Sequence, residues 1–324
     1  MTSGRAHDVG SSTSERLIAA IRDQDNDLAR MHGKACANEW CAVHEVNGLF
    51  VDRLLHHEIE RISPAMRWTQ TAADMGAELV RSLAGRPVVY DDLSSLADEL
   101  VTRTRASLSD ALDVADSGEI ADAVAIVRST RDEYVERHDA WIILIQAIMR
   151  RLNIEHGVTA VRSALTDIGR ALMGARVPRL PYEAERLLEM HARGMRGHPC
   201  DERATGSFGV EETDEAFEMI FSPCGSGGRL RRFAVGEQSW LLDAYGRTHD
   251  PSDWTAGYTN VPLYCTHCFV FHEVVGVELT GLPLRHTMFD PDPNAPCRWV
   301  VYKDPAQVPV DVRGRCSSTE VLTP

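Results

Sequence analysis

Lysine is nearly missing from this chain: Lys34 and Lys303 are the only two among 34 basic residues, and the rest are arginine. Neither stands in a GxxxxGK setting, so there is no phosphate-loop lysine, and a Schiff-base mechanism would have to use one of the two. ATP-dependent and pyridoxal chemistry are therefore disfavoured. The arginine bias suggests a GC-rich, bacterial genome. Aromatic residues make up only 6% of the 324 positions, and no apolar run approaches the ~20 residues that a membrane span needs. The polar opening MTSGRAHDVGSSTSER reads as a tail and not as a signal peptide, which makes the cytoplasm the expected location, with no membrane association. A surplus of positive charge is missing too. The net charge of −14 argues against a nucleic-acid partner, which calls for a basic face to neutralise phosphates.

Several catalytic signatures are absent as well. His44-Glu45, His57-Glu58 and His272-Glu273 all lack the second histidine of HExxH, and no GxSxG elbow occurs. No glutamate has a histidine three residues later, as a carboxylate-bridged di-iron bundle requires. Gly225-Ser226-Gly227 begins like a dinucleotide fingerprint, but position 230 is leucine.

Cysteine is what the chain does have. Of its eight, Cys200, Cys224, Cys265, Cys268 and Cys297 fall within about a hundred residues. Without a secretory leader they are not expected to form structural disulfides, and their clustering points to metal or thiol chemistry. Cys36 and Cys41, in a helical pattern, read as core.

The texture divides the chain. Residues 14–198 read as helix after helix: SERLIAAIRDQDNDLARM behind a serine cap, TAADMGAELVRSLAG, DDLSSLADELVTRTRASLSDALDVADSG, the long run from Glu119, GVTAVRSALTDIGRALMG and PYEAERLLEMHARGM. Gly33 and the Asn47-Gly48 pair are expected to break or kink one of them. From 199 to 312, glycine, proline and aromatics rise, and AFEMIF, RRFAV, SWLLDAY and CRWVVYK alternate like strands. The expected fold is α+β, a helical N-terminal domain followed by a smaller domain with an antiparallel or mixed sheet, with tails at 1–13 and 313–324 disordered.

LYCTHCFVFHE, residues 263–273, carries the densest chemistry. On a helix, Cys265, Cys268 and His272 fall at i, i+3 and i+7, one stripe able to converge on an ion, with His267 pointing away. Thiolate and imidazole favour zinc, or an iron–sulfur cluster where four thiolates are present. A CxxC pair also serves redox chemistry, and two buried core cysteines would look the same. Cys224, after one expected strand, and Cys297, opening another, complete a four-cysteine set. The glycines of CGSGGRLRR, Gly225 and Gly227, could form a backbone nest for an anion backed by Arg229, or simply a tight turn. His138 and Asp139 are adjacent before an apolar run and are expected to orient each other inside the helices.

From Cys265 to Tyr302 the pattern is similar to that of vinyl-reductase-type small-molecule-binding domains and aminothiazoline-carboxylate hydrolase-like proteins. The matching pieces are CTHC opening a helix, LTGLPL with Gly281 leading into a strand, and CRWVVY beginning with Cys297. The resemblance implies a compact α+β domain that holds a small ligand, sometimes with metal, with Cys265, Cys268 and Cys297 lining the site. The helical first half and the CGSGGR loop depart from that pattern.

The sequence thus raises three expectations. The first is a zinc-dependent enzyme acting by hydrolysis or elimination on a small carboxylated or sulfur-containing metabolite. Cys224, Cys265, Cys268 and Cys297 would hold the metal, with His272 as a substitute ligand. His267, His272 or Glu273 would move protons, and Arg229 would orient the anion. The second is a small-molecule-binding or sensor protein with a structural four-cysteine site, acting through a protein partner. The third is a thiol-redox protein. Self-association through the helical domain is a further expectation.

Overall fold

Among the described residues, six helices make up the first half, and their apolar residues recur on one face and meet there. The computed structural model describes residues 8–61, 93–174, 177, 182–233 and 246–317. Helix α1 spans Thr13–Arg22 and buries Leu17, Ile18 and Ile21 behind an N-cap at Ser12, whose hydroxyl accepts from the Glu15 amide. A turn with Gln24 at positive φ separates it from α2, Asn26–Arg61, so the first expected helix is two. Gly33 and Gly48 do not break α2; they face Leu112 and Ala97 across the contact with α3, Leu93–Asp116. Helices α4, Ile120–His156, α5, Val158–Gly174, and α6, Ala184–Arg196, follow as the periodicity predicts. The expected helix TAADMGAELVRSLAG and the expected strand SWLLDAY lie outside the described residues.

The second half holds a four-stranded sheet in the order β1-β2-β4-β3. Its strands are β1, Gly209–Glu212, β2, Ala216–Phe221, β3, His286–Met288, and β4, Cys297–Tyr302, and every neighbouring pair is antiparallel. The fold is α+β. AFEMIF and CRWVVY are strands as their alternation predicts, and register opposes Phe221 to Cys297. That pairing brings Cys297 beside the end of β2, just ahead of Cys224. Of the expected strand RRFAV, the last two residues lie outside the described residues, and residues 231–233 instead end the short helix α7, Gly227–Phe233. Its arginines are drawn to three different partners around a helical turn, which an extended segment with two faces could not satisfy.

A single hydrophobic cluster crosses from the first half into the second. It joins Trp141 of α4 and Leu188 of α6 to Phe217 and Phe221 of β2 and Trp299 of β4, all at most 5% exposed. Full burial of one such side chain stabilises by roughly 1.5–3 kcal/mol, so the sheet and the helices support each other. A second cluster, including Leu17, Trp40, Leu108 and Val127, lies among α1 to α4. Part of the expected N-terminal tail also docks: the Ser12 hydroxyl donates to the Thr205 carbonyl at 2.5 Å, and the Phe208 amide to the Gly10 carbonyl at 3.0 Å. At the other end α10, Val310–Ser317, occupies the start of the expected C-terminal tail. No helix among the described residues is long and apolar enough to cross a membrane.

Candidate metal and ligand site

Between α2, α6 and the sheet lies a cavity of about 1030 Å³, ample for a small molecule. One wall is the segment the sequence singled out. It starts as a 3-10 turn, Leu263–Cys265, becomes α8, Thr266–Phe269, opens into a π turn, Val270–Val274, and ends as α9, Val275–Thr280. These changes of pitch alter the expected stripe. Cys265, Cys268 and His272 line the cavity, but so does His267, which the helical spacing pointed away. A π turn widens the helix locally and recurs at functional sites.

The four cysteines reach this cavity from three places in the chain. Cys224 follows β2, Cys297 opens β4, and Cys265 and Cys268 sit on the 263–280 segment. Burial raises the pKa of each thiol, and neighbouring thiols add to the rise for Cys224, Cys265 and Cys297. Cys268 differs, because after burial the largest influence on it is the Arg285 guanidinium, which lowers the pKa. Partly buried thiols with raised pKa values stay protonated unless a cation compensates them.

The glycine loop serves the sulfurs and not an oxyanion. The Gly228 amide donates to Cys224 Sγ at 2.9 Å, and the Ser226 amide also points at it. A Cβ on Gly227 would stand 2.5 Å from Cys265 Sγ, so only glycine admits the thiol there. Gly225 is packed against His198 and Pro199. The anion nest expected at Gly225 and Gly227 is thus a cradle for thiols. By chemistry alone, the four cysteines offer thiolates, the ligand type of zinc and iron–sulfur centres. They do not form a tight shell: among the described residues no three His, Cys, Asp or Glu side chains already stand as a ligand set. All four are free cysteines.

Three other expected site residues are placed differently. Arg229 is not at the cavity; its Nη2 donates to Asp139 Oδ2 at 2.8 Å and its Nε to Oδ1 at 3.3 Å, a bidentate pair with α4. Glu273 is buried and turned toward β3, where Oε1 accepts from the Thr287 amide at 2.7 Å. That bond braces the strand. His272 packs edge-on against His191 with centroids 5.0 Å apart and tilts toward Trp299 at 6.1 Å. Its ring therefore forms part of the cavity's aromatic wall. His267 lines the cavity: Nδ1 donates to the Tyr264 carbonyl, and Nε2 lies 3.5 Å from Cys268 Sγ. Burial holds its pKa down at about 4, so the ring is neutral.

Two cavity residues escaped the sequence reading. Arg285 is 2% exposed, stacks on the Trp299 ring and contacts His191 Nδ1 at 3.5 Å through Nη1. Its guanidinium donates a hydrogen bond to the Cys268 side chain, and the Glu273 carboxylate lies near enough to act on its charge. Burial brings its pKa down to about 10, which leaves it charged at neutral pH. His198, just beyond α6, also lines the cavity. Neither carries a spacing signal; a strand-edge arginine and a loop histidine look ordinary until the fold juxtaposes them with the cysteines.

Comparison of the chain with protein-family models, with curated proteins and with solved structures finds no match. The likeness to vinyl-reductase-type domains therefore rests on the motif residues alone.

Proposed function

We propose that the chain is a small-molecule metalloenzyme whose zinc is held by Cys224, Cys265, Cys268 and Cys297 at the wall of the central cavity. The observation that carries this reading is the convergence of four cysteines, from three separated segments, on one cavity that also holds a buried arginine. Zinc would supply Lewis-acid polarisation of a substrate or of water once one of the four thiolates gives up its position to that ligand, and hydrolysis or elimination is the reaction class. The chain's own residues do the rest. Arg285 balances the charge of thiolates and of an anionic, carboxylated or sulfur-containing ligand. His267 stands beside Cys268 with a neutral Nε2, able to accept its proton as the metal enters. Phe271, His272 and Trp299 give the ligand an aromatic wall and exclude water. The second reading, a binding or sensor protein with a closed structural site, is favoured if all four thiolates stay bound throughout.

Metal analysis of purified protein tests the proposal. The expected result is one zinc per chain in the wild type and none in Cys265→Ser. Metal-free protein with a titratable Cys265–Cys268 disulfide would favour the redox alternative and defeat both metal readings.

A further inference from the structure

A second line of polar groups reaches the same cavity through His198, and none of it belongs to the metal set. Arg229 of α7 holds the Asp139 carboxylate bidentately. Asp139 Oδ1 lies 3.2 Å from His138 Nδ1, and His138 Nε2 lies 2.8 Å from His198 Nδ1. The partners dictate the tautomers. A carboxylate clamped by arginine can only accept, so His138 carries its proton on Nδ1. A neutral His138 then accepts at Nε2, which requires His198 to donate from Nδ1. The remaining nitrogen of His198, Nε2, is left with its lone pair, has no hydrogen-bond partner and is not sealed off among the buried unsatisfied atoms. His198 lines the cavity, so that lone pair is the group the relay delivers to a ligand.

The position is held tightly. The Tyr134 hydroxyl donates to the carbonyl of Gly197, the His198 amide donates to Met195 O at 3.0 Å, and a Cβ on Gly225 would stand 2.6 Å from the His198 Cβ. Burial, and then the neighbouring His138 and His267, hold the His198 pKa well below its ordinary value, so the ring is neutral at neutral pH.

We infer that His198 is the proton acceptor of the cavity, set in its Nδ1–H tautomer by the Arg229–Asp139–His138 chain behind it. The ligand it serves presents an acidic hydrogen on oxygen, nitrogen or sulfur, or positions a water that does. In the step, the X–H proton moves to His198 Nε2 and X keeps the bonding pair. The imidazolium so formed donates through Nδ1 to His138, whose own Nδ1–H is held by the Asp139 carboxylate, so the new positive charge faces a buried negative one. His138 and Asp139 are positioning residues. The inference rests on reading the cavity as a ligand site, but not on the presence of metal.

The test reads tautomers directly, in chelator-treated full-length protein labelled with 15N-histidine, by long-range proton–nitrogen correlation at neutral pH, with His198→Gln for assignment. The expected spectrum shows His198 protonated on Nδ1 and bare on Nε2. In Asp139→Asn, Arg229 claims the amide oxygen and the amide NH2 faces His138. The hydrogen bonds then reverse along the chain, and His198 changes to the Nε2–H tautomer. Should that variant fail to fold, His138→Phe severs the relay, and His198 is expected to show mixed tautomers. Diethyl pyrocarbonate, which reacts with bare imidazole nitrogen, should modify His198 in the wild type and lose that reaction in Asp139→Asn. An Nε2–H tautomer in the wild type, or a tautomer unmoved in either variant, overturns the inference. So does a shift of His198 Nε2 on adding zinc, because the residue would then be a ligand. If the protein binds no zinc and the tautomer pattern still holds, the metal proposal fails and this one stands.

Discussion

Replacing Gly227 by alanine places a methyl group where the structure has a sulfur atom. The added Cβ would lie 2.5 Å from Cys265 Sγ and 3.4 Å from the Tyr264 ring. Carbon and sulfur in ordinary contact sit well over 3 Å apart, so the loop or the cysteine must move by roughly 1 Å. Overpacking of a tight site costs about 1–3 kcal/mol. Removing a glycine at the start of α7 returns no more than about 1 kcal/mol, so net destabilisation of about 1–2 kcal/mol is expected. The displacement also carries Cys265 away from the other thiols, so the variant should retain zinc more weakly against a competing chelator. Gly194→Ala is the control, because Gly194 sits in α6 with nothing within 4 Å of its added Cβ. That variant should be more stable by about 0.5–1 kcal/mol from helix propensity alone. Urea unfolding of both variants, with and without chelator, reads the difference. Equal effects of the two alanines, or unimpaired zinc retention in Gly227→Ala, would refute the packing of that glycine against the thiol.

Other outcomes follow from the buried polar groups. Arg285→Met removes the guanidinium that offsets thiolate charge, and it should weaken zinc retention by about 10–100-fold, read by chelator competition; retention equal to wild type would remove Arg285 from the site. His44 and His191 are buried with pKa values held down at about 3, by burial first and by nearby positive groups second. Below about pH 6.5 the unfolded chain binds protons there that the folded chain refuses, so stability is fully present above that pH and falls on acidification. Each such histidine contributes a slope of up to about 1.4 kcal/mol per pH unit between pH 6 and 4. Urea unfolding across that range measures it, and flat stability would contradict the buried neutral rings. Arg229→Met leaves the Asp139 carboxylate without its bidentate partner and should destabilise by about 3–5 kcal/mol, the range for breaking a buried pair. A loss under 1 kcal/mol, read by thermal or urea unfolding, would place that pair in the class of solvent-screened surface bridges.

What the sequence made legible depended on local pattern. AFEMIF and CRWVVYK alternate cleanly, and they pair with each other as β2 and β4. The helices from Ile120 to Arg196 follow apolar periodicity, and they form where it places them. The cysteine set was visible because thiols are scarce elsewhere and cluster here. Misreadings arose where distant partners decide. RRFAV looked like a strand, but Arg229 answers to Asp139, and Arg231 to the carbonyls of Asp290 and Asp292 at 2.6 Å, from one turn of helix. Arg229 looked available for a ligand for the same reason, since its carboxylate partner is 90 residues away. The bond from the Thr287 amide to Glu273 spans 14 residues, which spacing does not reveal. The stripe of Cys265, Cys268 and His272 assumed one helical pitch, and the π turn at Val270–Val274 changes it. His198 and Arg285 carry no motif at all; only the fold brings them to the cysteines.

The central claim is that four thiolates from three segments bind one metal ion. Cobalt-substituted protein tests it most directly, because the ligand-field and thiolate charge-transfer bands of the visible spectrum report the number of sulfur ligands. The account predicts a tetrahedral spectrum with four thiolates at rest, stepping down by one in each of Cys224→Ser, Cys265→Ser, Cys268→Ser and Cys297→Ser. A spectrum unchanged by Cys224→Ser or Cys297→Ser, or a protein that takes up no cobalt, would contradict it.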